Sequence, residues 1–181
     1  SLLESIEIPD SVTEIGMYAF ANCSSMTEAY IADSVTSMGD STFSDCVKLE
    51  KVHIPNCRIN IMSNMFYNCS SLKEINLPDT LETIQQSAFY NCDSLTEMVL
   101  PGKVKEIGNS AFYDCDGLTK LVIPDSVTSI GNNAFNSCEL LADVSLGTGL
   151  TAIPESCFAN CPSIKEIALP YRMKTLAAKA F

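Results

Sequence analysis

The sequence predicts a β-rich α/β solenoid of about eight 23-residue coils, with parallel strands joined through short 3₁₀ turns. Three observations carry that expectation. All eight phenylalanines, from Phe20 to Phe181, stand 23 positions apart. Seven of the nine cysteines (Cys23, Cys46, Cys69, Cys92, Cys115, Cys138 and Cys161) keep the same interval. A common text, clearest in LTKLVIPDSVTSIGNNAFNSC from Leu118 to Cys138, runs through the whole chain in one register. A fixed period of this size means that each copy is one supersecondary unit and that stacked copies share a continuous core.

Counted from the residue after each periodic cysteine, the copies cover 1–23, 24–46, 47–69, 70–92, 93–115, 116–138, 139–161 and 162–181. They form a single array without separate halves. The last copy stops three residues short, and neither end carries the polar cap a solenoid needs, so a fragment of a longer protein is expected. Apolar residues recur at repeat positions 3, 6, 8, 12, 15, 19, 20 and 23. Position 8 reads Ile8, Ile31, Ile54, Leu77, Leu100, Ile123, Leu146 and Leu169, a row that stacks on itself along the axis.

The first element of each copy is a short strand. Position 5 is polar throughout and position 7 in several copies, against apolar residues at 6 and 8, as in Lys51-Val52-His53-Ile54, so one strand face is buried. Proline at position 9 (Pro9, Pro55, Pro78, Pro101, Pro124, Pro170) ends the strand because it has no N–H for the ladder. Asp-Ser after it, as in Asp125-Ser126, is turn chemistry. A second extended piece follows, as in Val127–Ile130, closed by glycine at position 16 in Gly16, Gly39, Gly108 and Gly131. The Ala-Phe segment, as in Asn133-Ala134-Phe135, is too short for a stable α-helix and predicts a 3₁₀ or single helical turn.

The pattern LxxIxIPxSVTxIGxxAFxxC, present in eight registered copies, resembles the BspA-like (treponemal-type) leucine-rich repeats. Leu118, Leu121 and Ile123 also occupy the places of the general L-x-x-L-x-L scaffold, although Pro124-Asp125 stand where that scaffold has Asn or Cys. The resemblance implies a right-handed, curved superhelix with its main sheet on the concave side. Three copies depart from the pattern. The second has Ala29 and Ala32 with Met26 and Met38 to fill the space, the third has Arg58 for valine and a large Met65, and the seventh has Gly147, Gly149 and Pro154.

Composition excludes several function classes. With 22 acidic and 11 basic residues the net charge is −11, the wrong sign for nucleic acid or anionic lipid. No apolar run reaches the roughly 20 residues that span a bilayer. Hydrophobic content of 46% is ample for a core. The closest cysteine pair, Cys157 and Cys161, lies on core rows without the paired spacing of a zinc site. Free, buried thiols are therefore expected, with Cys57 in the turn Asn56-Cys57-Arg58 as the reactive exception. His53 is the single histidine and lacks any motif partner for acid–base work. The ladder Asp10, Asp33, Asp79, Asp125 reads as turn capping rather than calcium ligation. Two N-x-S sequons start at Asn22 and Asn68 and straddle the buried cysteine row.

No catalytic residues, metal ligands or cofactor are expected. The function expected is non-enzymatic protein recognition, and the resemblance implies a cell-surface or secreted protein in adhesion or host interaction, with an extracellular-matrix or receptor protein as partner. A carbohydrate-binding, accessory or spacer region attached to a catalytic domain is the alternative. Positions 5 and 7 point out of the core, so binding is assigned to the larger uncharged groups of row 7 (Tyr30, His53, Asn76, Val99 and Val122) with Glu74 and Glu97 as rim.

Overall fold

The structure is a computed structural model and describes residues 1–55 and 60–181. Numbered along the chain, one set of strands is β1 (Ser5–Glu7), β3 (Glu28–Tyr30), β5 (Lys51–His53), β6 (Glu74–Ile75), β8 (Glu97–Val99), β10 (Lys120–Val122) and β12 (Asp143–Ser145). The other set is β2 (Glu14–Ile15), β4 (Ser37–Met38), β7 (Thr83–Ile84), β9 (Glu106–Ile107), β11 (Ser129–Ile130), β13 (Ala152–Ile153) and β14 (Thr175–Leu176). Every pairing is parallel and every register offset is one repeat, as in Glu7↔Tyr30↔His53 and Val99↔Val122↔Ser145. The molecule is thus a parallel β-solenoid of about seven turns. The expected eighth coil is incomplete: Glu166–Ala168, where its main strand belongs, form no strand, and that rung has a neighbour on one side only.

The α/β component is not found, since no helix occurs among the described residues. The expected 3₁₀ turn around Ala-Phe is replaced by a different backbone. Repeat positions 18 and 22 hold positive φ in successive coils, as at Asn64 (54°), Asn68 (58°), Ser110 (53°) and Asp114 (60°). A left-handed residue every fourth position prevents helix continuation, and Asn, Asp and Ser tolerate that region better than most. N–H groups at positions 18, 20 and 22 then point along the axis. Those of Ser110, Phe112 and Asp114 donate to Asn132, Ala134 and Asn136 of the next coil at 2.8–2.9 Å. Those between close local turns, as from Tyr113 to Ser110 at 3.2 Å. The third side of the solenoid is therefore a hydrogen-bonded ladder without β geometry.

Both strand ladders are interrupted along the described residues. At position 16 the N–H normally bonds back one coil, as Gly131 does to Ile107 (2.8 Å). Pro154 has no N–H to give, and β11 and β13 do not pair. The main sheet divides into β1-β3-β5-β6 and β8-β10-β12. On the β5 side of that division the Asn76 side chain accepts from the Ile54 N–H (3.0 Å) and donates to the Ile54 carbonyl (2.7 Å). A side-chain amide caps β5 where a backbone amide does so elsewhere.

The core is a stack of rows. Phenylalanine rings lie parallel from Phe20 to Phe181 with centroids 5.0–5.8 Å apart. Met26, Ala29, Ala32 and Met38 of the second copy are all buried, as is Met65 of the third. Arg58 lies outside the described residues.

Candidate functional site

The outer face of the main sheet carries the position-5 and position-7 rows, held outward by the strand alternation. The sheet division splits the proposed set into two patches. In the first, Tyr30 and His53 stack with ring centroids 4.5 Å apart and planes 6° off parallel. Beside them Lys51 bonds Glu74 at 3.0 Å. A groove of about 370 Å³ lies among Glu7, Glu28, Tyr30, Lys51 and His53, and a second of about 480 Å³ continues over Glu74 and Asn76. In the second patch Val99, 60% exposed, is the register neighbour of half-buried Val122, with Glu97 and Lys120 alongside. Asn76 is occupied in the β5 cap, so its amide serves the fold.

His53 stacks flat on Tyr30, so the two rings form one continuous contact surface on the outer face. Among the described residues no three His, Cys, Asp or Glu side chains converge as metal ligands. Nor, among the described residues, is any helix long and apolar enough to cross a membrane. Asp125 reaches across to the next coil, accepting from the Thr148 N–H at 2.8 Å. That bond favours its charged form and lowers its pKa.

Eight described cysteines are free thiols, all buried except half-buried Cys161. Cys57 lies outside the described residues. Row thiols donate to the carbonyl of the phenylalanine one coil back, as Cys92 to Phe66 (3.2 Å) and Cys115 to Phe89 (3.0 Å). The Phe66 carbonyl also accepts the Cys69 N–H (3.2 Å), so the small thiol there fills its second lone pair. Burial pushes the Cys115 thiol up to about 12, which makes it inert. Asn68 of the second sequon donates to Asp45 (3.0 Å) and accepts from Asn91 (2.6 Å), so its amide is engaged in the turn ladder.

Two features escaped the sequence reading. Tyr67, Tyr90 and Tyr113 stack at 4.8 and 4.9 Å on the turn side, at the one repeat position where three tyrosines follow each other. Asp93 and Asp116 each bury a carboxylate oxygen without a hydrogen-bond partner. Burial first, then the neighbouring Asp116 and Asp114 charges, raise the Asp93 pKa.

Parallel strands in 23-residue register around a Leu/Ile/Phe core define a leucine-rich-repeat solenoid. The chain belongs to the BspA type leucine-rich repeat family, whose model matches residues 1–119 and 59–181. It is similar to the Treponema pallidum leucine-rich repeat protein (27% identity, TM-score 0.68, covering 96% of this chain and 72% of that one). A leucine-rich repeat protein from Bacteroides ovatus matches at 30% identity and TM-score 0.72, over 98% of this chain and 43% of that one. A leucine-rich cell surface protein from Faecalibacterium prausnitzii matches at 27% identity and TM-score 0.51, over 99% of this chain and 70% of that one. No curated protein matches the sequence.

Proposed function

We propose that the chain is a non-catalytic protein-recognition module of a cell-surface or secreted protein, binding an extracellular-matrix or receptor protein in adhesion. The observation that carries this reading is the outer face of the main sheet. There the core rows stay constant while position 7 changes from Tyr30 and His53 to Val99 and Val122, a rigid scaffold with variable display. The similarity to a surface protein of Faecalibacterium prausnitzii supports the location. Stacking of Tyr67, Tyr90 and Tyr113 face to face covers the central ring on both sides, so that row offers no broad platform for sugar rings and favours protein over glycan.

Binding of the intact chain to immobilised matrix proteins and to a glycan array tests the reading. Saturable binding to a matrix protein, weakened by Tyr30→Ala or Val122→Glu at unchanged melting temperature, is expected. Glycan binding alone, or turnover of any offered substrate, would overturn it.

A further inference from the structure

The first main-sheet groove has a chemistry of its own. Tyr30 is half exposed, and His53 covers one face of its ring at 4.5 Å. Among the described residues no ring stacks on the other side, where Glu7 is its register neighbour on β1. Across the groove, in row 5, stands Glu28. Neither Glu7 nor Glu28 makes an ion pair among the described residues. The nearest cation, Lys51, is held by Glu74 on its far side. Its ammonium is stabilised first by that hydrogen bond and only last by Glu28. The groove thus presents a half-exposed tyrosine ring, two carboxylates without an ion pair among the described residues and a volume of about 370 Å³, enough for one long side chain.

We infer that this groove takes an arginine side chain of the partner protein, its guanidinium on the face of Tyr30 away from His53 and its N–H donors shared between Glu7 and Glu28. The inference rests on the recognition reading above and names the chemistry of one anchor. Arginine suits the geometry better than lysine. Its planar guanidinium stacks on a tyrosine ring while its forked donors reach carboxylates in the same plane. A lysine ammonium is a strongly hydrated point charge and meets only one of these features well. The chain's net charge of −11 adds attraction toward a basic segment at low ionic strength. The β5–β6 part of the face does not compete for such a ligand, because Lys51 and Lys73 already neutralise Glu74 and Glu50 there.

The test titrates the isotope-labelled chain with an Ac-Gly-Arg-Gly-Arg-Gly-NH₂ peptide and with its lysine counterpart, following backbone amide shifts. Expected are shifts at residues 5–7, 28–30 and 51–53, and an affinity for the arginine peptide at least fivefold above that for lysine. Tyr30→Leu should remove the arginine preference, and Glu28→Gln should lower affinity for both peptides about fivefold. Both residues are on the outer face, so the melting temperature reports whether the fold survives. Equal affinity for the two peptides, shifts scattered over Glu97 and Asp143, or no effect of Tyr30→Leu would each overturn the inference. A matrix protein that binds over Val99 and Val122 while the peptides ignore Tyr30 would sink this anchor and leave the recognition reading standing.

Discussion

Truncation of a phenylalanine in the middle of the stack should cost far more than truncation at its end. Phe112 is fully buried and lies between Phe89 and Phe135 at 5.0 and 5.2 Å. Phe112→Ala removes two ring contacts and leaves a cavity that rigid neighbouring coils cannot fill. The cost is about 3–5 kcal/mol. Phe181 has one ring contact, at 5.8 Å, and is 49% exposed. Phe181→Ala forfeits half a side-chain burial and one stack and opens no closed cavity, for about 1–2 kcal/mol. At about 2–4 °C per kcal/mol for a chain of this size, the melting temperature falls by roughly 8–16 °C for a loss of about 4 kcal/mol at Phe112. For Phe181→Ala the fall is a few degrees. Calorimetry of both variants decides. Equal losses, or a Phe112→Ala loss below about 1.5 kcal/mol, would refute the linear stack.

Asn76→Ala strips the β5 cap and leaves the N–H and carbonyl of buried Ile54 without these partners, so it should destabilise the chain by about 1–3 kcal/mol in denaturant titration. An unchanged midpoint would show the cap to be dispensable. Asp93 has a folded-state pKa above its unfolded value, so the stability it contributes is full below the unfolded carboxylate range and is lost as pH rises through the folded pKa. Asp93→Asn should therefore raise the melting temperature at pH 7, and the gain should vanish toward pH 3; a gain that persists at pH 3 would contradict the assignment. Among the described cysteines, Cys161 should label first with a thiol reagent. It is half-buried, whereas the Cys92 thiol is buried and burial raises its pKa. Mass spectrometry of the native, labelled protein reads the order, and prior labelling of Cys92 would contradict it.

The rows were legible because a solenoid turns sequence period into spatial contact: eight phenylalanines in step can only stack. The main strand was legible from alternation and from the proline that ends it. The turn side was misread, because an Ala-Phe pair flanked by polar residues looks helical on propensity alone. The contrary signal was present in Asn, Asp and Ser at positions 18 and 22, the residue types that accept positive φ. The break at Pro154 follows from a missing N–H and could have been foreseen. The Asn76 cap could not, because an asparagine on an outward row reads as ordinary surface until its amide is seen on Ile54. The outward rows 5 and 7 were legible from the strand alternation, while the division of row 7 into a Tyr30–His53 patch and a Val99–Val122 patch follows the split between β6 and β8.

The most direct measurement compares the three sides of the solenoid in one binding assay against the matrix protein the intact chain captures. Charge-altering substitutions are placed on the main sheet (Tyr30→Glu, Val99→Glu, Val122→Glu), on the second ladder (Thr83→Lys, Ser129→Lys) and on the tyrosine turns (Tyr67→Glu, Tyr113→Glu). All but Val122 and the half-buried Thr83, Tyr67 and Tyr113 are exposed, so melting temperatures are recorded for every variant. The account predicts at least a tenfold loss of affinity for a main-sheet variant and less than twofold for the other two sides. Loss confined to the second ladder or the tyrosine turns, with the main-sheet variants binding normally, would contradict it.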